Sequence, residues 1–201
     1  MRTLLVIAKT PVAGRVKTRL TPPFTPAEAA ALAAAALADT LAAVQGSGAE
    51  RRVLVLDGEP GSWIPDGFDV VPQRGHGLAE RLAAAFDGAG GSAFLVGMDT
   101  PQVTPALLDA GLRALDRADA VFGAALDGGY WGIGLRRPDP AVFRDVPMSE
   151  RTTGAVQRAR LAELNLRTAV LPPLRDVDTV DDARAVAAEA PGSRFAAVLS
   201  A

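Results

Sequence analysis

"TLLVIAKTPVAGRVKTRL", residues 3–20, sets an apolar run directly against a loop that carries Lys9, Arg15, Lys17 and Arg19 and no acid. An apolar run without alternation, closed by Pro11 and Gly14, has the pattern of a strand buried on both faces. Strands of that kind belong to parallel sheets covered by helices. The first acid in the chain is Glu28, so the loop behind this strand gathers positive charge with no internal partner.

Outward from this stretch the alternation repeats. "TPAEAAALAAAALADTLAAV" (25–44) reads as a helix in which Thr25 caps, Pro26 takes the first helical position and Glu28 closes a capping box. Strands are expected in "RRVLVLDG" (51–58), "FDVVP" (68–72), "SAFLVGMD" (92–99), "DAVFGAAL" (119–126), "YWGIGL" (130–135) and "LRTAVLP" (166–172). Helices are expected over about residues 78–86, in "TPALLDAGLRAL" (104–115) with Thr104 as cap, and in "TTGAVQRARLAEL" (152–164). A last one is expected in "TVDDARAVAAEA" (179–190), where Thr179 and Asp182 can form another capping box. Strand and helix in turn predict a three-layer α/β/α domain with a mostly parallel sheet, and no repeat or linker divides residues 1–201.

Composition removes several functions. The chain has 201 residues, a formal net charge of −2, no cysteine and one histidine, His76. Thiolate metal sites, disulfides, a cysteine nucleophile and multi-histidine sites are thereby excluded. A nucleic-acid or membrane-surface role lacks the basic charge it would need. The apolar run after Arg2 is too short for a signal-peptide core, so the expected location is the cytoplasm, with no membrane span.

In open α/β sheets ligands bind beyond the carboxyl ends of the strands, which singles out four segments. The loop 9–24 can attract phosphate through Lys9, Arg15, Lys17, Arg19 and its amides, or be a solvated basic loop. It is not a Walker loop, because Val16 precedes Lys17 and the second glycine is missing. Asp99, in "LVGMDTPQVTP", ends a strand that Pro101 prevents from continuing, and its carboxylate can hold a divalent ion bridging phosphates or only accept amide hydrogen bonds in the turn. Asp176 and Asp178, in "LRDVDTVDDA", would point the same way on extended backbone, with Asp178 also placed at a helix-cap turn. For Asp176 a purely structural role is favoured. In "ALDGGYWGIGL", Asp127, Gly128, Gly129 and Tyr130 form either a sugar- or acceptor-facing loop or a plain hairpin turn with core aromatics.

The ordered set "AKTPVAGRVKTRL", "GMDTPQV", "ALDGGYWGIGL" and "DVDTVDDA" resembles a bacterial glycosyltransferase-like family. That family lies within the nucleotide-diphospho-sugar transferase superfamily, which has the GT-A fold. A more distant similarity connects the chain to 2-phospholactate and molybdenum-cofactor guanylyltransferases. The resemblance implies that the first loop wraps the donor's phosphates, that the aspartate at position 99 binds magnesium, and that Asp178 stands where those relatives keep a second metal-binding carboxylate. The chain lacks their glycine-rich first loop, which argues against plain nucleotidyl transfer.

The reading is a Mg2+- or Mn2+-dependent transferase using a nucleotide-sugar or nucleotide donor and a small-molecule acceptor, with a homodimer allowed. Asp99 and Lys17 would be catalytic. Lys9, Arg15, Lys17 and Arg19 would hold the phosphates, and Asp99 with Asp178 the metal. Asp127, Gly128, Gly129 and Tyr130 would face the acceptor or sugar. The alternatives are a guanylyltransferase-like nucleotidyltransferase and a non-catalytic nucleotide-binding protein.

Overall fold

The computed structural model describes residues 1–201. Its strands are β1 (Thr3–Lys9), β2 (Arg51–Asp57), β3 (Asp69–Pro72), β4 (Ala93–Val96), β5 (Ala120–Ala125), β6 (Tyr130–Leu135) and β7 (Thr168–Leu174). The helices are α1 (Pro26–Gln45), α2 (Leu78–Asp87), α3 (Pro105–Ala114), α4 (Thr153–Glu163), α5 (Val180–Glu189) and α6 (Arg194–Leu199). Both expected capping boxes form, Thr25 with Glu28 and Thr179 with Asp182. Each satisfies backbone donors that the first helical turn leaves free.

The seven strands make one sheet in the order β3-β2-β1-β4-β6-β5-β7. All neighbours run parallel except β6, which is antiparallel to both β4 and β5. The three-layer, mostly parallel α/β architecture therefore stands. β6 is reversed because the short turn 126–129 returns the chain at once, without the crossover that a parallel partner needs.

Adjacent strand residues are buried on opposite faces. Leu4, Val6, Leu54, Phe94, Val121 and Trp131 lie under α1 and α3, which supply Leu37, Leu41, Leu108 and Leu112. Leu5, Val53, Leu95, Phe122 and Ile133 lie under α2, α4 and the turn 140–143, which supply Phe86, Leu161 and Phe143. Two-sided burial explains why the β1 run shows no polar alternation. Phe94 meets Trp131 edge to face at 5.7 Å, a geometry that adds about 1 kcal/mol beyond the buried area.

A third cluster joins the start of α1 to the last helices. Leu20, Leu32, Ala36, Val177, Val186 and Phe195 pack together away from the sheet. Asp39, whose side chain is only 9% exposed, pairs with Arg194 and accepts from the Arg194 and Phe195 amides, tying α6 onto α1. By length and composition α1 could cross a membrane, with a mean hydropathy of 1.5. Here its apolar residues are divided between the sheet and this cluster.

Candidate functional site

β1, β2, β4, β5 and β7 all end at one edge of the sheet, and the reversal of β6 brings its first residue, Tyr130, to that edge too. All four segments singled out in the sequence therefore gather along this edge. Lys9, Arg15, Lys17, Arg19, Asp99 and Asp178 line a single open cavity of about 240 Å³, with Met98 as its apolar floor. A larger cavity of about 270 Å³, between β2, β3 and α2, is mostly apolar and lies apart from these carboxylates.

Lys17 is at the centre of the arrangement. Its backbone sits in the left-handed region at φ 50°, which costs a non-glycine residue of order 1–3 kcal/mol. The surroundings enforce that conformation: Val16 is buried under the sheet's α1 face, and Leu20 is fully buried three residues on. The side chain is only 9% exposed, with its ammonium 2.6 Å from the Asp99 carboxylate and donating to the Val177 carbonyl oxygen. The Val177 amide in turn donates to the Asp99 carbonyl at 2.9 Å. One buried cation thus stitches together the first loop, the end of β4 and the segment after β7.

Around that centre, Arg19 forms an ion pair with Asp178. Lys9 and Arg15 are exposed on the cavity wall. All four basic residues named from the sequence, and both proposed metal carboxylates, share this one cavity.

Asp176 belongs here more strongly than its sequence context suggests. Burial raises its carboxyl from the ordinary aspartate value to about 6, reinforced by the nearby Asp127 and Asp99 carboxylates and opposed by Lys17. Asp127, Asp99 and Lys17 therefore all lie within electrostatic reach of Asp176. The signal for this lies in the sequence after β7, where the "DVD" alternation sets two carboxylates at a strand's end. The sequence does not show that Asp178 pairs with Arg19 while Asp176 lies half-buried within electrostatic reach of Asp127.

The glycine turn takes the second of the two forms its sequence allows, a hairpin turn followed by aromatics that pack on the two cores. Gly128 adopts φ 97°, and a Cβ on it would collide with the Arg151 backbone. Its carbonyl accepts from the Gly154 amide at 2.8 Å, so the turn is clasped by residues 151–154 at the start of α4. Asp127 stays exposed and accepts from the Gly129 amide at 2.7 Å. The Tyr130 ring lies against Phe122 at 5.4 Å, and its hydroxyl faces the Met148 sulfur at 3.8 Å. Burial raises its phenol well above the ordinary value. Gly128, Gly129 and Tyr130 are half-buried in these contacts, and Asp127 is the exposed group of the four. Adjacent strand positions face opposite ways, so Tyr130 and Trp131 fill the two different cores.

A second polar group occupies the same edge. Arg81 pairs with Asp57 and donates to Gln73, whose amide nitrogen reaches the Ala8 and Val55 carbonyls. It knits the ends of β1, β2 and β3 together. These residues carry no motif, and nothing in the sequence marks them.

The donor set suits one kind of cation. No three His, Asp or Glu side chains stand close enough to cage an ion, whereas Asp99 and Asp178 look into one cavity ringed by phosphate-seeking cations. Mg2+ and Mn2+ that rely on one or two carboxylates and take their other oxygens from phosphates and water fit such a site.

Comparison with known proteins agrees with the architecture. A family model described as an uncharacterized protein conserved in bacteria, DUF2064, matches residues 28–150. The chain belongs to that family. The matched span includes Asp99 and Asp127 but neither the basic loop nor the segment 176–178. No curated protein sequence matches the chain.

Among solved structures, one from Desulfovibrio desulfuricans G20, assigned as a nucleotide-diphospho-sugar transferase, aligns at a TM-score of 0.91 and 26% identity, over 99% of this chain and 94% of the other. Rv0371c from Mycobacterium tuberculosis H37Rv, in complex with manganese, aligns at 0.51 and 23% identity, over 92% and 97%. The 2-C-methyl-D-erythritol 4-phosphate cytidylyltransferase of Thermus thermophilus aligns at 0.57 and 17% identity, over 94% and 98%. The fold is that of the nucleotide-diphospho-sugar transferase superfamily.

Proposed function

We propose that the chain acts as a divalent-metal-dependent transferase with a nucleotide-sugar donor, working as one domain over residues 1–201. The observation that carries this reading is the single cavity in which Lys9, Arg15, Lys17 and Arg19 face Asp99 and Asp178. Cations of that number in a recess favour a diphosphate, and two carboxylates opposite them favour a metal bridging the same phosphates. Lys17 and Arg19 would hold the donor's diphosphate. When bound, the metal would neutralise the charge that develops on the leaving group. Asp127, exposed at the rim, would accept from the hydroxyls of a small-molecule acceptor or of the donor's sugar.

A second reading, a nucleotidyltransferase acting on a small phosphorylated acceptor, is favoured by the fold likeness to the Thermus cytidylyltransferase. Product analysis separates the two: pyrophosphate from a nucleoside triphosphate marks nucleotidyl transfer, and a nucleoside diphosphate from a sugar donor marks glycosyl transfer. The first test is a thermal-shift screen of nucleoside triphosphates and nucleotide sugars, with and without Mg2+ or Mn2+. A ligand at a hundred times its Kd stabilises by about 2.7 kcal/mol, or about 5–10 °C for a domain of this size. If no nucleotide shifts the melting temperature even with metal, the proposal fails. If shifts survive Asp99→Ala with undiminished metal dependence, the assignment of the metal to Asp99 fails instead.

A further inference from the structure

The Lys17 contacts raise a question about order of binding. Its ammonium is 2.6 Å from Asp99 and is almost out of solvent. It is anchored from behind by the Val177 carbonyl. Arg19 likewise covers Asp178. Each carboxylate that would receive a metal is thus neutralised by a cation from the same loop that would receive the phosphates.

Resting on the reading above, we infer that Lys17 is an exchangeable internal counter-ion that holds the metal position shut until a diphosphate arrives. A divalent ion brought to Asp99 while the Lys17 ammonium stays 2.6 Å from it would add a like-charge repulsion at about 4 Å, which weakens metal binding unless the lysine moves. A diphosphate offers Lys17 and Arg19 a denser anion than a carboxylate does. Both can then leave Asp99 and Asp178 without becoming unpaired. Metal alone bears the cost of displacing a buried lysine, whereas metal with diphosphate does not. The ordering is donor-coupled: free Mg2+ or Mn2+ binds poorly and the metal enters with the phosphates. Phosphate-seeking loop and metal carboxylates are therefore two positions of one switch, with Lys17 moving between them.

The test is Mn2+ binding followed by electron paramagnetic resonance of the free ion, on the whole chain and without nucleotide. The wild type should bind Mn2+ weakly. Lys17→Met should bind it at least about tenfold more tightly, equivalent to about 1.4 kcal/mol. Lys17→Arg, which keeps the charge, should stay at the wild-type level, and Lys17→Met combined with Asp99→Asn should lose the gain. Lys17→Gln, whose amide can still donate to the Val177 carbonyl, serves where the methionine variant does not fold. Equal Mn2+ affinity in wild type and both neutral variants overturns the inference. The donor reading would still stand in that case if nucleotide with metal shifts the wild-type melting temperature. Absence of any such shift sinks that reading instead.

Discussion

Replacing Asp176 with asparagine should stabilise the metal-free protein at pH 8, by an amount that disappears as the pH falls to 4. The wild-type carboxyl titrates near 6 in the folded chain against an ordinary value of 3.8, because burial and the Asp127 carboxylate disfavour its charge. Between those two values the folded state holds a proton that the unfolded state has released, so stability falls as pH rises through this window. A shift of about two units corresponds to about 3 kcal/mol at 1.36 kcal/mol per unit. Because the side chain is partly exposed, solvent screening reduces this to about 1–2 kcal/mol. Asparagine carries no charge and escapes that penalty. Urea unfolding in EDTA, repeated from pH 4 to pH 8, should show the variant's advantage opening between pH 4 and 6 and constant above about 7. A stability difference that does not change with pH, or one that grows towards pH 4, would refute the electrostatic account of this cluster.

Three other outcomes follow from the packing and the ion pairs. Gly128→Ala should cost about 2–4 kcal/mol in chemical unfolding, since it adds a left-handed strain and a collision with the Arg151 backbone. Phe195→Ala should cost about 3–5 kcal/mol, measured in the same way, because the ring is fully buried against Leu20 and Val177. Arg19→Ala should change stability by less than about 1 kcal/mol, its side chain being 70% exposed. In the same variant nucleotide affinity should fall about tenfold by calorimetry, and an unchanged affinity would remove Arg19 from the phosphate site.

What can be read from the chain without coordinates is set by how locally each signal is encoded. The β1 run, the Thr-Pro helix starts and both capping boxes depend on residues within one or two turns of each other, and they appear as expected. The α6 helix is not legible in the sequence, because "RFAAVL" is six residues long, too short to show a helical period. Its start is tied down by Asp39, 155 positions away. The gathering of Lys17, Asp99 and Asp178 follows from the rule that ligands sit at strand carboxyl ends. The roles of Asp176 and Tyr130 depend instead on which way each side chain turns at the strand's end, and that is decided by partners in other segments.

Leu20 lies three residues after Lys17, and Val177 lies one residue before Asp178. Both are anchored in the apolar cluster that holds Phe195, off the sheet. The two halves of the candidate site thus share a footing made by α1, α5 and α6, while the sheet supplies Lys9 at the end of β1 and carries Asp99 just beyond the end of β4. Loosening that footing would part the basic loop from its carboxylate while the strands remain paired. Loss of nucleotide binding under mild denaturant should then precede the loss of β-sheet signal, making ligand competence a less durable property of this chain than its fold.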